Sequence, residues 1–218
     1  MIRKFIKPLL AASVVLSASH AQASVVQFQG FAHGSEYVEY SLSSSAYQGT
    51  QAGGFNVLLN GSKNITTYCV DLLQHINLSG TYNDYTQVSG SAHLFANSRA
   101  NDDIGRLFTS AGVLVHDATT EAAFQLAVWE IAYETDKSYS LSDGIAKFHG
   151  SISAVGFAND WLSQLGSKSS VNLQVLESRT FQDQVFANRI PEPSSAALIA
   201  AAMLGLGAVQ RRRTRRAD

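Results

Sequence analysis

The chain has 218 residues, of which 45% are apolar and 15% charged, with a formal net charge of −1, 16 glycines, three prolines and one cysteine. That composition excludes a disordered polyelectrolyte and a disulfide-stapled miniprotein, and the length suits one folded domain with a substantial core. The near-zero charge hides an uneven distribution. Eight of the 16 basic residues lie in the two ends, so the body over 24–190 keeps eight basic against fifteen acidic residues, net −7. An acidic body of this kind has no basic face for a nucleic-acid partner.

The first element is "MIRKFIKPLLAASVVLSASHAQASVV". Arg3, Lys4 and Lys7 precede a short apolar run over 9–18, and Ala21-Gln22-Ala23 supplies a small-x-small site. This is the layout of a secretory signal peptide over 1–23, removed after Ala23, and the run is too short to span a membrane.

The next four segments read as strands: "VVQFQGFA", "EYVEYSLSSSAY", "GGFNVLLNG" and "TTYCVDLLQHINL". They are rich in Val, Tyr, Phe and Thr and are separated by Gly, Ser and Asn clusters that make turns. "NDYTQ" reads as a turn and "ANDDIG" as a helix start. Beyond Asn101 the period changes. Ile104, Leu107, Phe108, Ala111 and Leu114 recur at helical spacing, with Asp102 and Asp103 near the start and a weak point at Gly112. "DATTEAAFQLAVWEIAYET" offers Asp117, Thr119 and Thr120 as N-caps, and its residues are apolar nearly all round, which predicts a buried helix. A third helix is expected over 153–165, and "SVNLQVLES" and "FQDQVFA" return to strands. The whole predicts a single α+β domain: a strand-rich N-terminal half, sandwich or barrel-like, a small helical subdomain, and C-terminal strands.

The last element, over 191–218, has three parts. Pro191-Glu192-Pro193 comes first, then an almost wholly small or apolar run of about 17 residues, then Arg211, Arg212, Arg213, Arg215 and Arg216. The run is at the short limit for a membrane helix, and the arginines would stay on the cytoplasmic side. This tail resembles the PEP-CTERM sorting signal of Gram-negative bacteria. The resemblance implies export, transient anchoring in the inner membrane, and cutting by an exosortase-type enzyme before release or attachment outside the cell.

Two residues in the body stand out. Cys69 has no second cysteine to pair with, which is unusual in an exported chain. Gln125 lies inside the apolar helix, where an unpaired carboxamide costs about 1–3 kcal/mol. A cysteine thiolate can attack a glutamine carboxamide, expel ammonia and leave an internal thioester, provided the two groups are held in near-attack contact. By residue type alone, a small buried hydrophobic Cys and a backbone-bonded Gln are the commoner explanation, and chemistry by itself does not select the thioester. Asp71, His75 and Glu121 are the candidates for a base.

The surrounding motifs add to this. Tyr68-Cys69, followed 56 positions after the cysteine by Gln125-Leu126-Ala127-Val128-Trp129, resembles the aromatic-Cys and Gln-x-Ala-hydrophobic-Trp motifs of the thioester domains of Gram-positive surface adhesins. Phe124 stands where those motifs often carry Thr. The resemblance implies a Cys69–Gln125 thioester flanked by Tyr68 and Trp129. It also implies covalent attachment to an amine or hydroxyl partner outside the cell, with no cofactor and no turnover.

Other readings carry less. A non-covalent structural or carbohydrate-binding component of an exopolysaccharide matrix would use the strand aromatics as a sugar face. A cysteine hydrolase would need a histidine beside Cys69, and His33, His75, His93, His116 and His149 sit in no recognisable signature. The same scatter gives no metal-ligand spacing.

Overall fold

The computed structural model describes residues 23–136 and 138–189, with the side chain of Arg189 left out. The expected leader over 1–23 and the expected sorting tail over 191–218 therefore lie outside the described residues, apart from Ala23.

Two β-layers carry the fold. β1 (Ala23–Phe31), β4 (Phe55–Leu59), β5 (Lys63–Cys69), β6 (Thr81–Ser89), β8 (Val171–Glu177) and β9 (Gln184–Arg189) close into a barrel in the order β1-β4-β5-β9-β8-β6. A three-stranded antiparallel sheet has the order β3-β2-β7, from β2 (Glu36–Leu42), β3 (Gln48–Ala52) and β7 (Ala146–His149). All barrel pairings are antiparallel. Alternation sends Val26 and Phe28 of β1 and Val57 and Leu59 of β4 into the core while their neighbours face outward, as the two-residue period of a strand requires. The protein is thus a single strand-rich α+β domain with a barrel and a helical subdomain.

The helices are α1 (Ala100–Ser110), α2 (Ala118–Tyr133) and α3 (Ile152–Ser163), with a 3-10 turn at Gly112–Leu114. Asp117 caps α2 by accepting from the Thr120 N–H at 2.8 Å, and the Thr120 hydroxyl returns a contact to the Asp117 N–H. The Ser151 hydroxyl caps α3 through the Ala154 N–H. Every residue of α2 from Thr120 to Ala132 is buried, because the helix packs on β2, β3, β5 and β7 and against α1 and α3. Large buried side chains such as Phe124, Leu126, Trp129 and Ile131 contribute about 1.5–3 kcal/mol each through removal from water.

The structure corrects the sequence reading at several strands. "NDYTQ" lies inside β6, with Tyr85 buried and Asn83 and Asp84 both exposed, so it is not a turn. β3 and β7 carry too few apolar residues to be read as strands, and both are held by pairing to β2. The strand expected to run through Leu78 stops at Cys69. There Val70 bonds to the Asp183 carbonyl, and the Asp71 carboxylate turns the chain by accepting from the Leu73 N–H at 2.8 Å.

Candidate functional site

β5 and α2 bring Cys69 and Gln125 together. β4 begins at Phe55, which pairs with Thr67, so β4 has no residue opposite Cys69. The open position is filled by a side chain. The Cys69 N–H donates to Gln125 Oε1 at 2.9 Å, and Gln125 Nε2 donates to the Cys69 carbonyl at 2.8 Å. The carboxamide therefore takes the place of a strand neighbour's peptide group. Both residues are 1% exposed, and the pairing satisfies four buried polar groups at once.

The Cys69 side chain faces other partners. Its thiol donates to the Asp71 carbonyl at 2.9 Å, and the Asp71 N–H lies 3.3 Å from the sulfur. Burial pushes the thiol up to about 12; contacts from the Trp129 side chain and the Asp71 backbone act the other way, and the Asp71 and Asp183 carboxylates raise it. The thiol is thus protonated at neutral pH.

Trp129 lies one turn beyond Gln125 on α2, with its ring stacked on Phe148 at 6.0 Å between centroids and 10° between planes. A cleft of about 180 Å³ reaches Cys69 and Trp129 from outside. Phe31, Phe55, His75 and Gln182 are among its walls. Tyr68 points elsewhere, because neighbouring residues on a strand face opposite sides. Its hydroxyl donates to Glu121 Oε2 at 2.8 Å, and its ring packs on Phe124 at 4.5 Å. Burial, then the adjacent Glu121 charge, hold the Tyr68 hydroxyl well above its ordinary range, so it stays a neutral donor.

The three candidate bases separate. Glu121 is fully buried, and its carboxylate is engaged by Tyr68, by the Gly54 N–H at 3.0 Å and by His33 Nδ1 at 2.6 Å. It pins α2 to the barrel. Asp71 meets the sulfur through its backbone. His75 shares the cleft with Cys69. Sequence reasoning missed Gln182 and Asp183, which reach this end of the barrel from the start of β9; nothing local in the chain marks them. Among the described residues, no group of three or more His, Cys, Asp and Glu side chains is placed to hold a metal ion. None of the described helices is long and apolar enough to cross a membrane.

Fold and site together define a strand-rich α+β domain with a buried, paired cysteine and glutamine at the end of one barrel strand. No known family model matches the chain, and no curated protein matches it. Among solved structures, it is similar to the N-terminal domain of the Streptococcus pyogenes pilus tip adhesin Cpa, at 17% identity and a TM-score of 0.46, over 75% of this chain and 99% of that one.

Proposed function

We propose that this is an exported protein of the cell surface or extracellular matrix in which Cys69 and Gln125 close into an internal thioester. The bond is spent once, attaching the protein covalently to an amine- or hydroxyl-bearing partner, as adhesion or matrix anchoring. The observation that carries this reading is the double hydrogen bond between the Gln125 carboxamide and the Cys69 backbone, which pins the acyl group to the residue that bears the thiol. Such pinning raises the effective concentration of the reacting groups.

The chemistry balances without a cofactor. The Cys69 sulfur bonds to Gln125 Cδ, the C–N bond breaks, and ammonia leaves with the thiol proton. The Cys69 N–H on Oε1 favours the negative charge that develops there. Export, exosortase-type processing and transient anchoring in the inner membrane of a Gram-negative cell belong to the same proposal, through the leader and the Pro191-Glu192-Pro193 tail.

Intact mass of the exported protein tests it. The thioester gives a mass one ammonia below that of the processed sequence, no thiol titre, and a methylamine adduct that restores one thiol. A full-mass protein whose Cys69 titrates freely after unfolding would assign the pair a purely structural role, capping the strand.

A second reading has its own observation. On the outer face of the three-stranded sheet Tyr37 is 60% exposed, and Tyr47 stacks on His149 at 4.3 Å between centroids. These rings suit non-covalent binding to a matrix polysaccharide. Full mass together with retention on extracellular polysaccharide, lost in Tyr37→Ala, would favour it.

A further inference from the structure

Trp129 poses a separate problem. Its indole N–H is a donor only, and it is buried with no hydrogen-bond partner in ordinary geometry among the described residues. Leaving such a group unpaired costs free energy, so its position needs a reason. The ring cannot easily turn away, because it is stacked on Phe148. The N–H lies near the Cys69 sulfur, where it favours the thiolate over the thiol. Trp129 and Cys69 also share the walls of the cleft through which a small nucleophile would arrive.

We propose that the Trp129 indole N–H is a catalytic donor to the sulfur that departs when an amine opens the Cys69–Gln125 thioester, with the Cys69 N–H as the donor to the acyl oxygen. This rests on the thioester reading above. In the step, the amine nitrogen bonds to Gln125 Cδ and the carbonyl electrons move to Oε1, which the Cys69 N–H holds. The C=O then re-forms and the C–S bond breaks, with its electron pair leaving on Sγ. Trp129 and the Asp71 N–H face that sulfur. The extra proton on the new amide nitrogen passes to Sγ, giving a secondary amide and a free Cys69 thiol.

The need for a donor follows from the site. A leaving thiol departs faster the lower its pKa, and burial pushes Cys69 in the wrong direction, up to about 12. An N–H that makes no hydrogen bond of ordinary geometry in the resting protein, and strengthens its contact as charge builds on sulfur, stabilises the transition state more than the ground state.

The test uses the exported full-length protein, its Trp129→Phe variant, and a variant with benzothienylalanine at 129, which keeps the two-ring shape but lacks the N–H. Intact mass first establishes whether each carries the thioester. The rate of methylamine addition is then followed by mass. Both variants are expected to carry the bond and to open about ten- to a hundredfold more slowly than the parent. After opening, the Cys69 thiol is alkylated across pH, and its profile is expected to move to higher pH in both variants. Asp71 and Asp183 raise the thiol in all three proteins, so the difference isolates the indole N–H. Should Trp129→Phe misfold, the benzothienylalanine protein decides alone. Unchanged opening rates, or an unchanged alkylation profile, would overturn the role of Trp129 while leaving the thioester standing. A parent protein of full mass would instead remove the thioester, and this proposal with it.

Discussion

At Cys69 the backbone and the side chain face different partners, and each can be tested separately. The Gln125 carboxamide satisfies the Cys69 N–H and carbonyl, while the thiol bonds to Asp71. In a Cys69→Ala background, where no thioester can form, the further change Gln125→Ala leaves two buried backbone groups unpaired. It is expected to cost on the order of 2–4 kcal/mol in urea denaturation. An effect below about 0.5 kcal/mol would mean that water replaces the amide. The thiol itself is predicted to be slow to react. In Gln125→Ala, folded protein should alkylate about tenfold faster per pH unit from neutrality to beyond pH 10, because burial holds the thiol near 12. A plateau near pH 9 would contradict that burial.

At the scale of elements, the buried Glu121 carboxylate ties the start of α2 to three pieces of the β-structure: His33 after β1, Gly54 before β4, and Tyr68 in β5. Gly54 is required by this contact. A Cβ there would sit 2.5 Å from Glu121 Oε2 and 3.0 Å from both Thr66 Cγ2 and Tyr68 Cε1. Gly54→Ala is therefore expected to destabilise by about 1–3 kcal/mol, read from the denaturation midpoint, by displacing the carboxylate from its partners. Gln125 sits one turn further along α2, so under the proposed thioester the same variant should also close that bond more slowly after refolding, read by mass against time. A second tie holds the far end of α2. Glu134 accepts from the Asp136 and Ile145 N–H groups, and Glu130 Oε1 accepts from Ser140, so the chain after α2 is fastened back onto it.

At the scale of the whole molecule, buried acids make stability depend on pH in one direction. Burial raises Glu130 from an ordinary 4.5 to about 8, and its Oε2 has no hydrogen-bond partner among the described residues. Burial also raises Asp183 from 3.8 to about 6. An acid whose pKa is raised on folding binds its proton more tightly in the native state. The stability it contributes is full below the unfolded value and is lost as pH rises through the folded value. Denaturation midpoints are therefore expected to fall between about pH 5 and 8, by up to about 1 kcal/mol per pH unit from Glu130. Glu130→Gln should flatten most of this slope; an unchanged slope would place its origin elsewhere.

Much of this protein was legible in the chain, and the part that was not has physical causes. The helices were readable from local signals: α1 from the helical spacing of its apolar residues, and α2 from the Asp117 and Thr120 cap and a run of apolar residues that requires burial whatever covers it. The identities of Cys69 and Gln125 were readable as oddities, one an unpaired cysteine and the other a polar group in an apolar helix. The short strands β3 and β7 and the polar β6 were not, since each is held by pairing with distant residues rather than by its own composition. The sequence by itself determined the three helices, the strands with apolar alternation, the acidic body and the two residues with chemistry to explain. Only the tertiary structure decided that β4 has no residue opposite Cys69, that Gln125 fills the gap, and that Trp129 is fixed beside the same sulfur. Those facts depend on where strands from remote parts of the chain begin and end, and no local propensity encodes that.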